Sequence, residues 1–182
     1  REHNIRLFLN AHVDGCRADG GRVISCTAHE TSSDRRLLFS AAQFIDCTGD
    51  GTLAYLAGAR YRHGREGREE FRESLAPEKP DAYTLGHTIM FQVTDVGRPA
   101  PFTAPPWAIK FDSEADLPHR GHREPFGFWW IEWGGVINTI TDHEAIRDEL
   151  MAAALGVWDH MKNKSDHGFA NYALSWLGFL PG

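Results

Sequence analysis

Residues 4–14, NIRLFLNAHVD, alternate in polarity: Ile5, Leu7 and Leu9 fall on one face, Arg6 and Asn10 on the other. A period of two is the signature of a half-buried strand. Asp19-Gly20-Gly21 then gives a turn signal. Residues 22–31, RVISCTAHET, alternate again, and Ser32-Ser33-Asp34 makes a second turn. Leu37 to Phe39 opens a third strand, and residues 42–47 form a fourth, more fully apolar one. Residues 4–48 therefore predict a β-meander that runs into a buried strand.

Beyond residue 48 the period changes. Asp50 is placed to cap a helix, because its carboxylate can accept the orphan N–H groups of a first turn. Leu53, Leu56 and Ala57 share one face of that short helix, which ends near Gly58. Residues 62–82 are polar and glycine-rich, with Pro77 and Pro80, and predict loop around a short helix at 69–75. Residues 84–95, TLGHTIMFQVTD, read as a strand. Residues 96–111 carry four prolines in or beside short apolar stretches and must be extended or looped. Residues 116–127 are a further loop. FGFWWIEWGG, 126–135, is a glycine-bounded strand with Phe128, Trp130 and Glu132 on one face and Trp129, Ile131 and Trp133 on the other. Residues 141–162 give the strongest helix. Thr141 and Glu144 have capping-box spacing, and Ile146, Leu150, Ala153, Ala154, Val157 and Met161 fall on one stripe. Lys162 and Lys164 sit near its negative end. There is no internal repeat.

Composition narrows the function classes. Over 182 residues, 42% hydrophobic and 24% charged is the balance of an ordinary globular chain. No apolar run approaches the ~20 residues that span a bilayer, so no membrane partner is expected. The net charge of −6 argues against a nucleic-acid partner, which requires a basic face. The arginines from Arg60 to Arg72 are interleaved with Glu66, Glu69 and Glu70, as on a solvated, ion-paired face. Cys16, Cys26 and Cys47 have no metal-ligand spacing. Each lies in a strand-like run, so they read as buried, reduced thiols of a cytoplasmic-type compartment. The sequence starts without Met and stops on the apolar run NYALSWLGFLPG, and both ends read as cuts in a longer protein.

The segment that carries chemistry is FIDCTGDGTLAYLAGARY, 44–61. Gly49-Asp50-Gly51-Thr52-Leu53-Ala54 fits G-x-G-x-x-G/A, the dinucleotide fingerprint. That fingerprint demands a second strand ending in an acid about 20 residues on. Here the window holds REGREEFRES, whose Glu69, Glu70 and Glu73 lie on no apolar strand, so the βαβ reading fails. The order of elements suggests another. In flavoproteins with the glutathione-reductase-type FAD fold, a meander interrupts the doubly wound domain, and the chain returns through an apolar strand ending in a Thr-Gly-Asp turn. QFIDCTGDG resembles that strand and turn.

The resemblance extends further. FIDCTGDGTLAYLAGARYRHGRE with ESLAPE, and later WWIEWGG and NYALSWLGFLPG, resemble the FAD-dependent oxidoreductase family that often occurs beside bacterial carbohydrate-utilisation enzymes. The likeness covers essentially the whole chain and is strongest over 44–78. It implies a mixed α/β protein, α+β within this fragment. Residues 1–60 would be a partial FAD-binding domain and 61–182 a partial substrate domain. The family's N-terminal G-x-G-x-x-G unit and its C-terminal flavin-closing segment are not in this sequence. The resemblance further implies FAD as cofactor in the full-length parent, contacted by Thr48, Gly49, Asp50 and Gly51, with the backbone of Val13 against the adenine. Gly49 and Gly51 permit close backbone approach. Asp50 would repel a phosphate, and suits a helix cap, a ribityl hydroxyl or an ordered water better.

Other residues are weaker candidates. His119 and His122 share a Pro/Gly loop at i, i+3 spacing, which suits a metal or acid–base chemistry. No third ligand is evident, so no metal site is expected and exposed loop histidines are the plainer reading. Trp129, Trp130 and Trp133 suggest either sugar stacking or simple core. Glu132 among them should be paired, with Arg120, Arg123 and Lys110 as candidate partners, or functional. Asp46 should face a polar crevice or be satisfied by backbone N–H groups. Arg60, Arg62 and Arg65 suit a substrate carboxylate or a solvated face. The catalytic candidates are His87, His119 and Glu132. The expected activity of the parent is oxidation of a small organic substrate, with sugar-related molecules among the candidates, by hydride transfer to flavin. The rival readings are a non-catalytic carbohydrate-binding module built on the tryptophans, or a structural fragment without activity of its own.

Overall fold

The structure is a computed structural model and describes residues 2–117, 128–164 and 166–182. The chain divides into two units, Arg1–Arg62 and His63–Gly182. The family-implied mixed fold, α+β within this chain, is observed: helices accompany two antiparallel sheets.

The first unit is built on the meander β1 (Ala11–Asp19), β2 (Arg22–Glu30) and β3 (Arg35–Ser40), in that spatial order. Asp19 pairs with Arg22 across Gly20 and Gly21, whose φ values of 55° and 77° are both left-handed. Two successive left-handed residues make the hairpin turn whose twist matches its strands, which is why glycine occupies both positions. Cys26 lies opposite Cys16 and Phe39, and Ala28 opposite Val13 and Leu37, so these side chains share one face. The short helix α1 (Thr52–Leu56) buries Leu53 in this unit, together with Cys26 and Ala28.

Two strand expectations fail here. Residues 4–10 lie outside β1, with Ile5 65%, Leu7 77% and Leu9 65% exposed. Residues 42–47 are irregular and Ile45 is 86% exposed. Alternation or apolarity makes a segment willing to be a strand, but its backbone groups need a neighbouring edge. Among the described residues no strand pairs with either segment. Cys47 is consequently exposed, against the expectation that all three thiols are buried; Cys26 is buried and Cys16 partly so.

In the second unit β4 (Gly86–Asp95) is central between β5 (Phe128–Gly134) and β6 (Tyr172–Leu177), all antiparallel. Alternation along β4 turns Ile89, Phe91 and Val93 into the core and leaves Met90 44% exposed on the other face. The long helix α3 (His143–Asn163) covers the core face. Its predicted stripe of Ile146, Leu150, Ala153, Ala154, Val157 and Met161 is buried throughout, joined by Trp158. The predicted capping box is not formed. The N-cap is Asp142, without a side-chain cap, and the Thr141 hydroxyl donates to the Asp142 carboxylate. Asn138 Oδ1 instead accepts the N–H groups of Ile140 and Thr141 and turns the chain into the helix.

The proline-rich segment reaches α3 at Ile109, whose N–H donates to Ala152 O at 3.1 Å. The contact requires Gly156: a Cβ there would lie 2.0 Å from Ile109 O. The helix expected at 69–75 is shorter, α2 (Arg68–Phe71), and ends where Arg72 turns left-handed at φ 58°. Among the described residues no helix is long and apolar enough to cross a membrane.

Candidate functional site

The turn after residue 45 is organised by Asp46 rather than by Asp50. Asp46 Oδ1 accepts the Thr48 N–H at 3.0 Å and the Thr48 hydroxyl at 2.7 Å. Its Oδ2 accepts the Ala54 N–H at 2.8 Å, inside α1. Thr48 Oγ1 in turn accepts the Thr52 N–H at 2.7 Å. These bonds, led by the Thr48 hydroxyl and the Ala54 N–H, hold the Asp46 carboxyl below the usual carboxylate range. Of the two readings of Asp46, satisfaction by backbone N–H groups is the one observed. Asp50, expected to cap α1, is exposed and makes no cap; the N-cap residue is Gly51 at φ 68°. A left-handed residue at this position aims the chain away from the geometry in which the Asp50 side chain would reach the first turn. Capping is done from Thr48 and Asp46 instead.

What remains open is the tip. Gly49 has φ 86°, and a Cβ on Gly49 or Gly51 would meet nothing within 4 Å. Thr48, Gly49 and Asp50 are exposed and Gly51 half-exposed. The backbone of this turn is therefore accessible to a ligand, with one free-standing carboxylate at its centre. Val13 lies within β1, not at a strand end. It is half-buried opposite Ala28, beside a register shift that leaves Asp14 as the extra residue. Asp14 holds the Thr27 hydroxyl and the Arg36 guanidinium.

Of the catalytic candidates, His87 lies opposite Trp133 and Glu132 opposite Thr88, so these two project from opposite faces of the β4–β5 pair. His119 and His122, with Arg120 and Arg123, lie outside the described residues. Glu132 is exposed on β5, and among the described residues it has no ion-pair partner, Lys110 included. Trp130 and Trp133 are 54% and 41% exposed, so neither is core. Three positions apart on one strand, they project to opposite faces and make no common stacking platform. Arg65 is held by Asp81 in a fork-like ion pair, which removes it as a ready substrate cation.

His87 is more informative. Its Nε2 lies 2.6 Å from Thr139 O and 3.2 Å from His143 Nδ1, with the two rings edge to face. A carbonyl only accepts, so Nε2 carries the hydrogen. The nitrogen able to take a proton is then Nδ1, and the ring serves to join β4 to the start of α3. His143 was not among the sequence candidates, because a lone helix-start histidine carries no periodic signal. Apolar clefts open elsewhere on this unit, one along Met90 and Trp176 and one along Trp107, Ile109 and Met151; His87 lines neither.

A family model described as FAD dependent oxidoreductase, whose cofactor is FAD, matches residues 1–182. No curated protein and no solved structure matches the chain. With its whole length inside that match, the chain belongs to the FAD dependent oxidoreductase family.

Proposed function

We propose that this chain forms part of the flavin site and much of the substrate side of an oxidoreductase acting on a small organic molecule, of a sugar-related kind. Residues 1–60 would belong to the FAD-binding domain and residues 61–182 to the substrate domain. The observation that carries the assignment is the open tip at Thr48, Gly49, Asp50 and Gly51.

The fit to a flavin nucleotide can be judged on that tip. The donors on Thr52 and Ala54 are already taken by Thr48 and Asp46. The helix start is thus built from within, and the ligand-facing part is the glycine backbone. Gly49 and Gly51 allow a phosphate or ribityl chain to come close. The Asp50 carboxylate opposes a bare phosphate and suits a hydroxyl donor, so it would hold the sugar-alcohol part of the cofactor. The backbone of Val13 would meet the adenine. Bound flavin supplies a hydride acceptor at N5. His87 and Glu132 are the described candidates for handling the substrate proton, His87 through its Nδ1.

The test is the FAD content of the full-length protein and of its Asp50→Ala variant. The wild type should purify yellow, with one FAD per chain. Among the described residues Asp50 makes no hydrogen bond or ion pair, so the variant should keep its melting temperature and lose affinity for FAD by roughly tenfold, the worth of one charge-assisted hydrogen bond. A colourless full-length protein sinks the reading. An Asp50→Ala variant with unchanged FAD affinity moves the cofactor contact away from this turn.

A further inference from the structure

We propose that Glu114, His160 and His167 form a binding site for a divalent first-row transition metal, of which zinc is the natural probe. The site lies wholly within the second unit and shares no residue with the turn at Thr48 to Gly51. The three residues each offer one ligand atom, and these atoms lie within 4.8 Å of one another.

His160 is on α3 and fully buried. Its Nδ1 lies 2.8 Å from the Phe111 carbonyl, which only accepts, so Nδ1 carries the hydrogen. In the neutral ring the Nε2 lone pair is then the one a metal would take. That lone pair faces another acceptor, Glu114 Oε1, at 3.4 Å. His167 Nε2 lies 3.0 Å from the same oxygen, and the two rings are 5.2 Å apart. A metal dication would draw one imidazole nitrogen from each histidine and a carboxylate oxygen of Glu114 into a single shell.

The chemistry of the donors selects the ion class. Two imidazoles and one carboxylate suit zinc and its neighbours, whereas magnesium and calcium take oxygen donors. Donors placed ~2.1 Å from zinc in a tetrahedron stand about 3.3 Å from one another, close to the two measured separations. The Phe111 carbonyl is the outer partner that fixes the tautomer and ring plane of a metal-bound histidine. Glu114 is 58% exposed on its side chain, so the cluster opens to solvent on that side and leaves room for water as a further ligand. Asp116, held by Ser113, and Asp112, paired to Lys164, add negative charge nearby. The metal would staple the 3₁₀ turn Glu114–Asp116 to the end of α3 and to the segment after it.

The protein is stripped with a chelator, dialysed, and titrated with Zn²⁺ and with Co²⁺. One equivalent of zinc should bind, raise the melting temperature, and give with cobalt the visible bands of a low-coordinate nitrogen–oxygen site. Glu114→Gln and His167→Asn should each weaken zinc binding by at least about a hundredfold, since even outer partners of metal ligands are worth 10–100-fold. His63→Ala, which removes an exposed histidine, should change nothing. Should a variant fail to fold, the wild-type melting shift and cobalt spectrum still decide. Absence of both overturns the proposal, as does zinc binding that survives Glu114→Gln and His167→Asn unchanged.

Discussion

At the scale of single residues, Asp46 and Lys162 each hold the backbone of a segment some way along the chain. Asp46 is engaged by the Thr48 hydroxyl and by N–H groups reaching to Ala54, and its carboxyl titrates below its usual range. A carboxyl depressed on folding stabilises the fold above its unfolded pKa of about 3.9. That contribution is lost as the pH falls through the lower folded value, because only the unfolded chain gains the proton in between. Acid should therefore loosen α1, seen as faster exchange of the Thr48 and Ala54 amides once corrected for intrinsic rates. Asp46→Asn cannot accept on two oxygens. It should show that loosening already at neutral pH, with no further acid step. Lys162 directs its ammonium at three carbonyls, those of Phe169, Ala170 and Tyr172. Lys162→Met keeps the packing of the stem and strips the donors, and should destabilise the second unit by about 2–3 kcal/mol in a denaturant melt. The sequence placed Lys162 at the negative end of α3. It could not show that the chain folds back to present its carbonyls there, because nothing in a 3.6-residue period describes the loop that follows a helix.

The elements differ in how much of them can be read from the residues alone. The buried stripe of α3 was legible because its spacing depends only on the helix itself. Leu150→Ala, at a fully buried position, should cost about 2–5 kcal/mol, partly as transfer and partly as cavity. Gly156 is by intrinsic propensity a weak point in that helix. It is in fact where the Ile109 carbonyl approaches, at 2.0 Å from a notional Cβ. Gly156→Ala, stabilising in a free-standing helix, should here destabilise by about 1–3 kcal/mol through overpacking. A denaturant melt that finds it stabilising would show that the segment around Ile109 does not rest on α3. The strands divide the same way. β1 to β3 and β4 to β6 pair within the chain, so alternation and turn residues located most of them. Residues 42–47 have the apolarity of a buried strand but, among the described residues, no strand to pair with, and composition cannot reveal a missing partner. The turn at Thr48 to Gly51 was legible as a turn for a related reason: Gly49 and Gly51, both left-handed, define its shape locally. The Glu114, His160 and His167 cluster was not, since its members come together only once the chain has folded around α3.

Across the whole molecule, apolar surface is distributed unevenly. The second unit buries a continuous core from Ile89 to Phe169, with Trp158 and Phe91 fully enclosed. The first unit buries Cys26, Ala28 and Leu53, and leaves Leu7, Leu38 and Ile45 at 77%, 69% and 86% exposed. A small unit with so little core has little to oppose its conformational entropy. In the isolated 182-residue chain, limited proteolysis should cut first in 2–10 and 41–50, while the amides of α3 and β4 exchange last. The same exposure bears on the flavin reading. If 42–47 is the strand that returns to a parallel sheet, its apolar side chains have a partner in the full-length, FAD-loaded protein. Protection of amides 42–54 should then rise sharply from the isolated chain to that protein, with the rise centred on Ile45 and on the turn at Thr48 to Gly51. The meander β1 to β3 already pairs with itself and should change less. Equal exchange of 42–54 in both forms would mean that the segment is a surface loop, and that its apolar pattern and its Thr-Gly-Asp-Gly turn belong to no cofactor sheet.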